Sequence, residues 1–178
     1  MQKLLLVDDE IHILNAIRRT LNQALRGRGI GIEIFDKPIE ALARASETPF
    51  DLVVSDFRMP VMDGVSFLKK FRELQPDTPR IILSAAADFD ALVAAVNEAE
   101  IFRYLVKPWS EDDLVATVTE ALELHARTVR DKALVDNARL EQGEISAEER
   151  ERARLEALEP GITKVKWGKD GSVLLDDE

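Results

Sequence analysis

Five side chains in this 178-residue chain are of the types needed to move a phosphoryl group: Asp8, Asp9, Asp56, Ser84 and Lys107. An aspartate can attack phosphorus in line, while a divalent cation and a lysine neutralise the oxygens as charge shifts. Carboxylates offer only oxygen ligands, which suit magnesium, or manganese, rather than a soft metal. Ser84 adds a hydroxyl for the same oxygens. Taken singly, each has a plainer use. Asp8 and Asp9 suit a helix N-terminus, Ser84 a strand end, and Lys107 a turn before Pro108. Chemistry follows only if the fold gathers them.

The elements between them predict that it does. Residues 3–7 and 52–55 are short continuous apolar runs, the pattern of strands covered on both faces. Residues 30–35, 80–84 and 102–106 read as three more strands. Helical periodicity fills the gaps: Ile11, Leu14, Ile17, Leu21 and Leu25, stopped by Gly27 and Gly29; then Ile39, Leu42, Ala43 and Ala45; then Val65, Phe67, Leu68 and Phe71; then Leu92, Val93 and Val96. Pro60 holds Met59 extended, and Asp63–Gly64 supplies a bend or cap. Ser110 with Asp113 opens a fifth helix. Five strands alternating with five helices predict an α/β fold, a doubly wound five-stranded parallel sheet of flavodoxin type, order 2-1-3-4-5. Asp8, Asp9, Asp56, Ser84 and Lys107 then all fall at the carboxyl edge of the sheet, where such folds bind ligands.

Composition narrows the classes. The formal charge is −10, which argues against a nucleic-acid surface. Without cysteine there is no disulfide or thiolate chemistry. No apolar run approaches the roughly 20 residues of a membrane span, and MQKLLLVDDE does not resemble a signal peptide. A soluble, cytoplasmic protein is expected.

The segments LLLVDDE, DLVVSDFRMPVMDG, IILSAAAD and YLVKPW, in this order and at these separations, resemble the receiver domain of two-component response regulators. The resemblance covers residues 1–125. It implies that Asp56 accepts a phosphoryl group from a sensor histidine kinase. It further implies Asp9 and Asp56 as magnesium ligands with Asp8 close by, and the Arg58 backbone carbonyl completing the set. Ser84 matches the switch hydroxyl, Tyr104 the switch aromatic, Lys107 the family lysine, and Ala85 a position kept small for phosphoryl access. NEAEIFRYLVKPW also resembles receivers of regulators with phosphodiesterase or phosphatase outputs, but no such output exists in this chain. The implied protein is a phosphorylatable switch and not an enzyme beyond its own phosphoryl transfer and loss.

Two other classes compete. An aspartate-nucleophile, magnesium-dependent phosphohydrolase also uses a strand-tip Asp and a lysine, but expects an acid two residues on, where Arg58 stands. A constitutive scaffold would leave the acidic pocket unused. His12 and His125 read as surface or packing histidines, and Trp109 as packing.

Residues 126–178 read as a helical extension plus a β-hairpin, not an independent output domain. Leu122, Ala126, Val129, Ala133, Asp136 and Leu140 form a weak heptad seam, which Gly143 breaks. Ser146 with Glu149 opens a second helix ending before Pro160–Gly161. The hairpin places Val165, Trp167, Val173 and Leu175 around a turn at residues 168–171. Residues 141–178 hold eleven acids against six bases, so no DNA-binding output is expected there. The hairpin must pack on its own receiver or on a second copy, and a homodimer seamed by the long helix is the favoured arrangement.

Overall fold

The computed structural model describes residues 1–85, 99–142 and 146–158, and two short strands at 166–167 and 173–174. The first five strands are β1 (Gln2–Val7), β2 (Ile30–Phe35), β3 (Leu52–Asp56), β4 (Arg80–Ala85) and β5 (Arg103–Lys107). Between and after them run α1 (Ile11–Ala24), α2 (Pro38–Glu47), α3 (Gly64–Leu74), α4 (Glu111–Glu141) and α5 (Ala147–Leu158). The sheet is wholly parallel, in the order β2-β1-β3-β4-β5. The expected fold and strand order are therefore found. The expected helix at 89–98 lies outside the described residues.

Strand periodicity divides the core in two. Leu4, Leu6, Leu52, Val54, Ile81 and Leu83 face one side with α1 and α4; Leu5, Val7, Val53 and Ile82 face the other with α2 and α3. Each fully buried aliphatic side chain contributes roughly 1.5–3 kcal/mol. The strands are apolar in succession because both faces need covering.

Local chemistry sets the helix ends. Asp63 caps α3, accepting from the Ser66 amide at 2.9 Å and from its hydroxyl at 2.9 Å. Burial works to raise the Asp63 pKa, but the hydrogen bonds from Ser66 outweigh it and leave the value lowered. After α1 the chain reverses through Gly27 and Gly29, at φ +88° and +66°. The Ser110 hydroxyl accepts from the Asp113 amide at 3.0 Å at the start of α4. Ser146 and Glu149 exchange amide bonds of 2.8 and 3.1 Å at the start of α5, the predicted reciprocal box.

Helix α4 is 31 residues long and changes character part-way. Leu114, Thr117, Val118, Ala121 and Leu122 are buried, whereas none of residues 123–140 is. The helix ends at the Gln142 cap, and Gly143, the expected breaker, lies outside the described residues. The tail forms a two-stranded antiparallel sheet, β6 (Lys166–Trp167) with β7 (Val173–Leu174). The expected hairpin pairing is thus present, while the expected turn at 168–171, the end of α5 near Pro160 and the packing of the hairpin's apolar set lie outside the described residues.

Candidate phosphoacceptor site

The carboxyl edge of the sheet gathers most of the expected residues. Asp56 is the last residue of β3, Asp8 follows β1, Ser84 is next to last in β4, and Lys107 ends β5. Asp8, Asp56 and Ser84 are all buried. Register brings the tips level, with Asp56 opposite Leu83 and Ala85 opposite Lys107.

Lys107 ties the site together. Its Nζ donates to Asp8 Oδ2 at 3.1 Å and makes a closer contact with Asp56 Oδ1. The other Asp56 oxygen accepts the Arg58 backbone amide at 2.7 Å, and Asp8 Oδ1 accepts the Glu10 amide at 2.8 Å. Each buried carboxylate thus has one oxygen on the ammonium and one on a backbone amide. Burial pushes the Asp8 carboxyl above its ordinary range, more strongly than the Glu10 amide and Lys107 pull it down. Burial also acts against the Lys107 ammonium, but Asp56 and Asp8 together overcome it and hold its pKa above the usual lysine value. Lys107 is a fixed cation.

Asp9 stands apart from this pair. Among the described residues no three His, Cys, Asp or Glu side chains are grouped to hold a metal. Asp9 is exposed and makes no hydrogen bond or ion pair among the described residues. Lys107 lies between Asp8 and Asp56 and neutralises the pair from within. Asp8 and Asp9 do not cap α1 either: its N-cap is Glu10, with no side-chain cap bond.

The remaining donors still fit magnesium. Asp8, Asp9, Asp56 and the Arg58 carbonyl form an oxygen-only set with neither sulfur nor imidazole, which is what a hard cation selects. Gly64 sets the close return of the loop that follows Asp56 and carries Arg58. A Cβ there would lie 2.0 Å from the Asp56 carbonyl oxygen, so only glycine lets α3 start this close to the strand tip. The Gly64 amide donates to the Phe57 carbonyl at 2.9 Å across the same approach. In that loop Val61 holds φ +71° and is almost wholly exposed.

Tyr104, the switch candidate, lies on β5 opposite Ile82 and is 38% exposed. Ala85 is exposed at the end of β4. Trp109 packs against the core, and His12 is exposed beside Glu10.

A model of the response regulator receiver domain matches residues 4–119. This chain belongs to that family. The receiver is 40% identical over 119 residues to the hydrogenase transcriptional regulatory protein HoxA of Cupriavidus necator, covering 67% of this chain and 24% of the relative. It is 42% identical over 117 residues to the DNA-binding transcriptional regulator NtrC of Escherichia coli, covering 65% of this chain and 24% of that protein. The receiver thus spans about a quarter of the length of these curated relatives. Among solved structures, the signal receiver domain of an HD domain-containing protein from Pseudomonas fluorescens Pf-5 matches with a TM-score of 0.65 at 31% identity, over 71% of this chain and 98% of that one. A CheY-like response regulator receiver protein from Methanospirillum hungatei matches with a TM-score of 0.65 at 26% identity, over 72% and 98%. Receivers of this family are two-component phosphoryl acceptors that work with sensor histidine kinases.

Sequence reasoning missed one tie to the receiver's opposite edge. His125 Nδ1 lies 3.2 Å from Asp51 Oδ1, and Asp51 Oδ2 accepts the Lys3 amide at 2.7 Å. Burial acts to raise the Asp51 pKa, but His125 and the Lys3 amide more than offset it and lower the value. A histidine 74 residues away in sequence leaves no spacing signal.

Proposed function

We propose that this receiver is a switch whose phosphoacceptor is Asp56, loaded by a sensor histidine kinase. An Asp56 oxygen bonds to phosphorus as the phosphorus–nitrogen bond of the donor phosphohistidine breaks, and the imidazole leaves with the electron pair. The observation that carries this reading is Lys107 spanning Asp8 and Asp56 at the strand tips. That ammonium can follow a phosphoryl oxygen once Asp56 becomes an acyl phosphate. Asp9, Asp56 and the Arg58 carbonyl would hold magnesium, with Asp8 beside them. Bound there, the ion supplies positive charge against the phosphoryl oxygens. Ser84 hydrogen-bonds the phosphoryl group, and Tyr104, half out in solvent, turns inward behind it.

The output is a protein-binding or dimerisation surface. No DNA-reading role is assigned to residues 126–178, whose acids outnumber their bases. Val129, Leu134 and Val135 are exposed on the distal half of α4, where a second copy would pack.

Acetyl phosphate with Mg²⁺ should add one phosphate to the wild type and none to Asp56→Asn, read by intact mass. Equal labelling of both would move the acceptor elsewhere. Sedimentation with and without beryllofluoride, of the full chain and of a chain ending at Arg127, tests the output. A monomer in all four samples would remove the dimer.

A further inference from the structure

Away from the phosphoryl edge, the charge of the receiver is unevenly spread. Residues 11–32 contain Arg18, Arg19, Arg26 and Arg28 and no acid at all, in a chain with ten more acids than bases. On α1, Asn15, Arg18, Arg19, Asn22, Gln23 and Arg26 line one open concavity of about 570 Å³. These positions recur every three or four residues and share one helix face. Arg18 bonds only Asn15 in its own helix, at 2.8 Å, and none of these arginines forms an ion pair among the described residues. The acids that flank the stretch are already engaged. Glu33 makes a two-pronged pair with Arg44, and Glu10 lies 3.3 Å from His12.

A second feature adjoins the first. Asn22 and Arg26 also border a groove of about 410 Å³ between α1 and β2, with Leu21, Leu25, Ile30 and Ile32 along it. Leu21 and Leu25 are its buried floor, and the two isoleucines are half-buried. β2 is the outermost strand of the sheet, so nothing in the sheet lies beyond it.

We propose that this combined surface docks an acidic amphipathic helix of a partner protein. Its apolar side chains would enter the Leu21–Leu25–Ile30–Ile32 groove, and its carboxylates would meet Arg18, Arg19 and Arg26. Three features favour a protein over a nucleic acid or a membrane. The groove is apolar beside the arginines, the amides Asn15, Asn22 and Gln23 alternate with them, and the net charge of −10 opposes an extended polyanion. Guanidinium groups also match carboxylates as paired donors. This surface is separate from the Asp56 site and does not depend on its reading.

The test uses the full chain and a fluorescent synthetic helix with leucines at i, i+3, i+4 and i+7 and glutamates flanking them. Anisotropy should show binding that weakens with salt. Arg18→Glu with Arg19→Glu should weaken it roughly tenfold or more, as should leucine-to-serine changes in the peptide. Reversal of Arg103, at the opposite edge of the sheet, should leave affinity unchanged, and all variants should keep wild-type melting and Asp56 labelling. Absence of peptide binding, or binding indifferent to the arginine reversal, overturns the proposal. So does duplex DNA or a phosphatidylserine vesicle binding in an arginine-dependent way while the peptide does not.

Discussion

The two halves of α4 are one continuous helix under two regimes. From Leu114 to Leu122 it presents a buried stripe to the sheet, and none of residues 123–140 is buried. The first half is held by the core; the second, and α5 after it, by local devices. Those devices are the Ser146–Glu149 box, i,i+3 pairs such as Glu151 with Arg154, and outlying ties from Lys132 to Asp77 and His125 to Asp51. One helix can therefore carry both a cooperative domain boundary and a weakly fastened arm. Helical structure alone says little about which part is stable.

The contrast can be broken at its stable side. Gly64→Ala drives a Cβ into the Asp56 carbonyl, where backbone must move. It should cost at least about 3 kcal/mol in denaturant unfolding and displace the phosphoacceptor. An unchanged unfolding midpoint would show that the loop yields freely.

Next in size, Leu122→Ala should cost roughly 2–5 kcal/mol, as large-to-small core changes do. Leu134→Ala, twelve residues along the same helix and 66% exposed, should stay within about 0.5 kcal/mol. Equal losses would erase the distinction between the halves.

The tie at the boundary comes third. Asp51→Asn weakens two hydrogen bonds and should cost about 1–2 kcal/mol at neutral pH. The folded Asp51 pKa is lowered, so its stabilisation is full above the unfolded carboxyl value and is lost as pH falls through the folded one. Wild type and variant should therefore converge on acidification. A gap that widens in acid would contradict the assignment.

Smallest is the arm itself. Ser146→Ala should reduce helicity by circular dichroism and cost α5 about 1 kcal/mol locally, while the main melting transition stays put.

The strand tips were legible because each apolar run ends at a polar residue, and sheet topology then forces the tips to one edge. That is why Asp56, Asp8, Ser84 and Lys107 could be named from sequence. Which of the two adjacent aspartates is buried was not legible, because spacing does not say it, nor that a lysine 99 residues on already bridges Asp8. Gly64 was read as a bend or cap, whereas its deeper need is the approach of the Asp56 carbonyl, a tertiary fact. Gln75 shows the same limit. It accepts the Phe50 amide and donates to the Ala45 and Thr48 carbonyls, closing the β3 entry from 25 to 30 residues away with no periodic trace. Long-range polar ties are invisible to patterns built on neighbours.

His125 sits near the middle of α4, with 14 residues before it and 16 after it. At about 1.5 Å per residue, the arms are roughly 21 and 24 Å long. The inner arm starts beside the phosphoryl edge at Ser110, and the outer one carries the exposed leucine and valines. Mechanically this is a cantilever, clamped along its inner arm by the core and at its root by the Asp51 tie. A tilt of about 10° at that root would carry the outer end roughly 4 Å while the inner arm stays packed. Loosening the tie would move the root inward and lengthen the free span.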